Sequence, residues 1–325
     1  MPKFTKRLRL IHIVLVTLLI VGLVPLLFAG WMLSERSAVE LRSIEGRYQV
    51  QLVQDKARQI ELYVQRYRDV VAGLARAFEL AGGVNNFTES EGVADARLQQ
   101  TLLDDPNLIA LAILPVNGEP RLAFQPDVIN REEVDERIGE VLAGMSGHDG
   151  VISRPSVIRS GREMGLTLAT PIMGGRREGE VVAAVVAVIY FKESFRAVQQ
   201  PTTLSDWEIL DQGLPLVFVV DADGRVVAHP NDEVTFSERA MTDLKVVQDW
   251  MQSGAQVQSA LAPFTLERGN RRVPILGSYA TAELDGASRL GVVAIQGEHA
   301  ALASVAEMLW KMRLIGFCAG FTVLA

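Results

Sequence analysis

Cysteine is almost absent from this chain. Its one copy, Cys318, lies in an apolar run close to the C-terminal end. The long middle of the chain therefore has no thiol, which excludes a disulfide framework and a thiolate metal site there. Its stability must come from packing alone. Histidine is scarce as well: His12, His148, His229 and His299 are the four copies, and no two stand at metal-ligand spacing. Gly-x-Ser-x-Gly, a Walker loop and His-Glu-x-x-His are all missing. His148-Asp149-Gly150 reads as a turn, and Gly174-Gly175 before Arg176-Arg177 reads as a hairpin turn rather than a phosphate cradle. No enzyme, metal or cofactor is expected from these residues. The net charge of -7 and pI near 5.3 argue against nucleic acid as a partner.

Charge is missing from one stretch altogether. Leu10 to Leu33 are 24 positions without Lys, Arg, Asp or Glu. At ~1.5 Å per residue they make a helix of about 36 Å, enough to cross a ~30 Å hydrocarbon core with some tilt. Lys3, Lys6, Arg7 and Arg9 precede the run and no acidic residue does. The positive-inside rule then leaves residues 1–9 as a cytoplasmic tail and 10–33 as a first transmembrane helix in the inner membrane. Residues 34–306 are sent to the periplasmic or extracellular side. The alternative is a cleaved signal peptide, but a signal h-region is shorter (~7–15 residues), and Trp31 suits an interfacial anchor. Pro25 is tolerable inside such a helix. Leu314 to Ala325 is a second apolar run of 12 residues, too short to cross. Residues 301–325 are expected to be a connector and the start of a second span cut short, with a cytoplasmic output segment beyond Ala325.

Proline is absent from Ser34 to Leu80, and glycine appears there only as Gly46 and Gly73. Val39, Ile44, Tyr48, Val53, Ile60, Val64, Tyr67, Val71, Leu74 and Phe78 recur mostly at three- and four-residue steps, which predicts an amphipathic spine helix over 34–80. It is expected to pack along a domain and to pair with a second copy. From Leu108 the period changes. Leu108–Leu114 reads as a buried strand, Asn117-Gly118 as a hairpin turn and Pro120–Phe124 as the return. A helix is expected over 128–145, then strands at Val151-Ile152, Gly165–Met173 and Val181–Phe191. The layout then recurs: a strand at Leu216–Val220, a turn at Ala222-Asp223-Gly224, a return at Arg225–Ala228, a helix over 237–252, and a hairpin of Val273–Ala280 with Arg289–Gln296. Gly118 and Gly224 are 106 residues apart, as are Val188-Ile189 and Ala294-Ile295. A fixed offset predicts two related modules in tandem, each an antiparallel sheet with helices packed on it. The membrane-distal module would cover 81–203 and the membrane-proximal one 204–300, with Gln199-Gln200-Pro201-Thr202-Thr203 as linker.

The stretch Val219-Val220-Asp221-Ala222-Asp223-Gly224-Arg225-Val226-Val227-Ala228-His229-Pro230 resembles the strand–turn–strand signature of Cache domains, the extracytoplasmic sensor modules of bacterial receptors. Val273–Ala280 followed by Leu290–Ala294 is similar to the terminal hairpin of the same family. The resemblance covers about residues 34–300 and implies the double-Cache arrangement: an α/β (α+β) fold with a long N-terminal helix, two PAS-like modules with antiparallel sheets, and flanking transmembrane helices. Read from the residues alone, Asp221 and Asp223 cap the turn, Gly224 supplies a positive φ, and His229-Pro230 ends the strand. That motif is structural.

The resemblance also implies that the distal module holds the ligand. The family's amino-acid-binding members carry an Arg-x-Trp-Tyr motif there, whereas Asp149–Thr170 contains no Trp or Tyr. Arg154, Arg159 and Arg162 stand there instead, interleaved with Ser153, Ser156 and Ser160. A carboxylate is well met by one guanidinium fork and hydroxyl donors. Arg154, Ser156, Tyr190, Asp149 and Arg162 are thus the candidate ligand-binding residues, the alternative being a solvated loop. The function expected is the ligand-sensing region of a homodimeric membrane signal-transduction receptor of chemotaxis or two-component type. It would take a small solute of unknown class. The competing class is a membrane-anchored Cache scaffold with no small-molecule ligand.

Overall fold

The computed structural model describes residues 3–80, 91–116, 120–126, 131–144, 150–158, 163–173, 181–191, 204–237, 239–253, 258–269, 271–285, 288–301, 303 and 310–311. One helix, α1 (Lys3–Leu80), runs unbroken for 78 residues with Pro25 inside it. The distal part follows as α2 (Glu91–Asp104), β1 (Leu108–Pro115), β2 (Arg121–Phe124), α3 (Arg131–Gly144), β3 (Val151–Ile152), β4 (Ser156–Ile158), β5 (Glu163–Met173) and β6 (Val181–Tyr190). The proximal part begins with α4 (Asp206–Asp211), β7 (Leu216–Val220), β8 (Val226–Ala228), α5 (Asp232–Phe236) and α6 (Lys245–Ser253). It ends with β9 (Ser259–Leu261), β10 (Phe264–Arg268), β11 (Arg271–Glu283), β12 (Arg289–Gly297) and α7 (Glu298–Ala301).

Among the described residues the strands form two six-stranded sheets, ordered β2-β1-β6-β5-β3 and β10-β11-β12-β7-β8, with β4 and β9 added beside β5 and β11. The second order read backwards repeats the first: a hairpin, a central strand, then its partner. Val188-Ile189 and Ala294-Ile295, one of the pairs at the 106-residue offset, fall on the two central strands, β6 and β12. All pairings are antiparallel.

Both sheets lie against α1. Val53, Ala57, Ile60, Val64, Tyr67, Val71, Leu74 and Phe78, at alternating steps of four and three, are buried in a single cluster. That cluster takes in Leu111, Leu166 and Ile189 of the distal sheet and Val219, Ala280 and Val292 of the proximal one. Each large side chain so buried contributes about 1.5–3 kcal/mol of transfer free energy. The other face of the proximal sheet packs on α6 around Trp250, and the other face of the distal sheet packs on α3. Ile44, Tyr48 and Leu62, on the opposite side of α1, are exposed, as is Val39.

Two local readings are corrected. The helix expected over 237–252 is α6 alone, starting at Lys245. The chain before it is drawn into strand-like pairing: Arg225 bridges Ala240, Val226 N–H donates to Arg239 O at 3.0 Å, and Met241 N–H to Gly224 O at 2.9 Å. For the same reason Arg225 belongs to that bridge and the return strand begins at Val226. The short strands β4, β9 and β10 and the helices α2, α4, α5 and α7 are not predicted from the sequence. The turns at 117–118 and 174–179, the linker at 199–203 and the second apolar run lie outside the described residues.

Among the described residues no helix is long and apolar enough to cross a membrane. Most side chains of residues 3–34 lie outside that description; the backbone there is helical throughout.

Candidate functional site

The outer face of the distal sheet is floored by small residues. Ala110 and Ala112 of β1, Ala184 of β6 and Ala169 of β5 face α3, which covers them with Val134, Ile138 and Val141. The alanines let α3 approach closely, and this brings a charged pair into the layer. Arg137 keeps 12% of its side-chain surface and Glu133 16%, with Nη2 and Oε1 3.9 Å apart one helical turn along. Arg137 Nη1 donates to Ser156 Oγ at 2.5 Å and Ser156 O at 3.4 Å, and Nη2 donates to Val157 O. One guanidinium fork thus fastens α3 to β4, with two donors used in the planar geometry that only arginine offers.

β4 lies close to Gly165: a Cβ there would lie 2.7 Å from Ile158 Cδ1, so the Ile158 side chain would have to shift. Gly165 is also the register partner of Tyr190, whose ring packs with the α3 cluster. The Tyr190 carbonyl accepts from Tyr63 Oη of α1 at 2.5 Å. Beside it, Tyr67 Oη donates to Asp105 at 3.1 Å, and Arg66 pairs with the same carboxylate at 2.9 Å. Burial raises the Tyr67 phenol above its ordinary value. The outer face is therefore tied through the sheet to the spine.

Of the residues expected to bind ligand, the structure brings Ser156 and Tyr190 to this face. Arg154 it does not. Its side chain is 66% exposed and pairs at 2.7 Å with Asp223, 56% exposed, in the turn of the proximal module. Asp149, Arg159 and Arg162 lie outside the described residues. Arg137 and Glu133 were missed, although the i,i+4 Glu–Arg pair set against the Val134, Ile138, Val141 stripe is legible in the sequence. Exposed ion pairs contribute little. Arg154→Ala is accordingly expected to cost under about 1 kcal/mol in a denaturant titration, and a loss above about 2 kcal/mol would give this bridge a larger part than its exposure allows.

The turn motif closes on itself. Asp221 Oδ1 accepts from the Asp223 and Arg225 N–H groups, both at 2.9 Å, and Gly224 sits at φ 75°. His229 follows with a fully buried side chain. Its Nδ1 accepts from Asn231 N–H at 3.0 Å, and Nε2 lies 3.6 Å from Asp206 Oδ1 of α4; Asp232 of α5 lines the small cavity on its other side. Burial lowers the imidazole below its ordinary 6.5, against the opposing pull of Asp206. The folded protein therefore binds this proton less tightly than the unfolded chain. The contribution is intact above pH 6.5 and is lost as pH falls through 6.5 toward the lower folded value. The transition temperature should drop between about pH 7 and about pH 5, and His229→Gln should flatten that slope. A wild-type slope unchanged by the substitution would remove His229 as its source. No cluster of three or more metal-ligating side chains occurs among the described residues.

No family model matches the chain, and no curated protein does. Solved structures do. The periplasmic sensory domain of the Campylobacter jejuni chemoreceptor Tlp1 superposes with a TM-score of 0.61 at 10% identity, over 81% of this chain and 98% of that one. The ligand-binding domain of the Pseudomonas aeruginosa PAO1 amino acid chemoreceptor PctC, in complex with GABA, gives 0.53 at 15% identity over 78% and 99%. That of the Pseudomonas fluorescens chemoreceptor CtaA, in complex with L-isoleucine, gives 0.53 at 12% identity over 82% and 98%. The likeness is one of fold, a long helix with two antiparallel sheets.

Proposed function

We propose that this chain is the sensory region of a membrane-anchored receptor that binds a small solute under α3 and passes the change along α1. The observation that carries this reading is the continuity of α1. One unbroken helix bears the charge-free run 10–33 and, twenty residues later, the buried stripe shared by both sheets. The basic N-terminus supports, by the positive-inside rule, a periplasmic position for the two modules. At the base, Arg42 of α1 pairs with Glu298 of α7 at 2.8 Å, and Gln49 donates to Gln296 of β12. These contacts join the segments leading to the two apolar runs. The exposed Val39, Ile44 and Tyr48 and an open groove of about 460 Å³ beside Leu261 support pairing of two copies along α1.

The site would hold the solute between α3 and β4, with Ser156, Tyr190 and Arg137 as its polar and aromatic contacts. A ligand shifts a two-state equilibrium only by its differential affinity for the two states, and α3, fastened by one fork, is the element whose position such a ligand would bias. The test is a thermal-shift panel of organic acids, amino acids, amines, purines and sugars on the full chain in detergent. Binding adds ~2.7 kcal/mol at a hundredfold excess over Kd. A rise specific to one class, lost in Ser156→Ala and Tyr190→Ala, is expected. A flat response to every class would sink the solute-sensing reading and favour an anchored scaffold.

A further inference from the structure

The strands of the proximal sheet do not all stop at one level. Ile275 of β11 pairs with Gly297, the last residue of β12, whereas β11 begins at Arg271. With β10 it forms a hairpin, Arg268 opposite Arg271 and Gly269 at φ 61° in the turn. The tip therefore passes the end of β12 by about 13 Å, at ~3.3 Å per residue. Its direction is fixed by α1. The N–H of Glu283, at the far end of β11, donates to Glu61 of α1. Lower down, Gln49 donates to Gln296, the register partner of Leu276, and Arg42 pairs with Glu298. The hairpin thus points the same way along α1 as the charge-free run 10–33. Three of the five residues from Arg268 to Arg272 are arginines, in a chain of net charge -7. Arg268 stands 4.9 Å from the ring centroid of Trp207 of α4 and pairs with Asp211 at 2.7 Å. Arg272 keeps 80% of its side-chain surface, 3.7 Å from Glu267. Beside them the Gly213 carbonyl accepts from Gln296 Nε2 at 2.7 Å, which puts the exposed Leu214 on the same rim.

We infer that this rim rests on the bilayer surface, the β10–β11 tip taking anionic phospholipid headgroups on its arginines, with Trp207 and Leu214 at the interface beside it. The inference rests on the anchored reading of α1 given above. From Leu33 to Arg42 α1 rises about 13 Å at ~1.5 Å per residue, and the headgroup layer occupies ~5–7 Å of that. The remaining ~7 Å is less than the length of hairpin beyond β12, so the tip reaches the phosphates. A guanidinium takes two phosphodiester oxygens as it takes a carboxylate. Asp211 and Glu267 are exposed partners, of the kind that contribute little, so a headgroup can replace either. Tryptophan favours the same layer. The proximal module would then have a footing on the bilayer separate from α1.

The test uses the full chain in nanodiscs of phosphatidylcholine, with and without phosphatidylglycerol, and a bimane label on Glu267→Cys in a Cys318→Ser background. The quencher is a lipid carrying a nitroxide on its headgroup. Quenching should be at least about twofold stronger with phosphatidylglycerol present and should weaken as salt rises. Arg268→Gln, Arg271→Gln and Arg272→Gln together should abolish that difference. A label on Asp223→Cys instead, in the turn at the opposite end of the sheet, should not be quenched. Quenching no stronger at the hairpin than at that turn, equal quenching in both lipids, or a lipid difference that survives the triple substitution would each overturn the headgroup contact. Quenching in detergent by a copy carrying a nitroxide at the same site would assign the tip to a second copy and overturn it too. A chain that fails to co-elute with the nanodisc would sink the anchored receptor itself, and this contact with it, an outcome read before any quenching is measured.

Discussion

Trp250→Ala is expected to destabilise the protein by about 3–5 kcal/mol, the range for emptying a large aromatic from a core. Trp250 is fully buried on α6, and its indole N–H donates to Thr281 Oγ1 of β11 at 3.0 Å. The ring lies flat on β12 where that strand has no side chain: a Cβ on Gly291 would come within 2.6 Å of it. The Arg289 guanidinium stands over the ring, 5.3 Å from its centroid. Removing the ring therefore strands a hydroxyl, exposes a glycine on a central strand and leaves a void between rigid walls that cannot close. Gly291→Ala approaches the same contact from the other side, pushing a methyl into the ring, and is expected to cost about 1–3 kcal/mol. A double variant should cost less than the sum, because the added methyl occupies part of the void. Urea midpoints with unchanged slopes would measure this. A loss below about 1 kcal/mol for Trp250→Ala would mean that the α6 layer repacks freely.

Arg137→Met is the second large effect, expected at about 2–4 kcal/mol. The substitution keeps the length of the side chain and its packing against the sheet, but it strips the donors from Ser156 O, Ser156 Oγ and Val157 O and leaves Glu133 without the cation beside it. Arg137→Lys should recover part of the loss, since a single ammonium restores the charge but cannot meet two carbonyls in one plane. Amide exchange offers a local readout: protection should fall first in β4 and the first turns of α3 while β12 stays protected. Uniform loss across both sheets would show that Arg137 supports the whole fold rather than the fastening of one helix.

Much of this architecture is legible in the sequence because it rests on periodicity. The absence of proline over 34–80 and the three- and four-residue steps give α1; the 106-residue offset gives two sheets of one design; Asp221, Asp223 and Gly224 specify their turn through bonds to their own backbone. What is not legible depends on partners far away in the chain. Residues 239–241 have the composition of a helix yet pair with Arg225 and Val226. β4 and β9 are three residues each and exist because β5 and β11 offer them an edge. Arg137 sits in Arg-Glu-Glu-Val-Asp-Glu-Arg, which reads as solvated charge until the alanines of β1 and β6 draw α3 inward. In the sequence Arg154 neighbours a buried strand, and only the fold reveals the turn at Asp223 that faces it.

The shared stripe on α1 has a consequence for how such proteins diversify. Neither sheet owns a complete interior: each borrows one wall from the same helix, along the stripe from Val53 to Phe78. A recombination event that exchanged the distal segment alone, cutting after Leu80, would graft foreign strands onto an inherited wall cut to a different pattern. A viable chimera must instead carry its own length of helix, with a crossover inside α1 placed to preserve the three-four rhythm of the stripe. A new distal module in this architecture is therefore inherited together with the piece of helix that forms its inner wall.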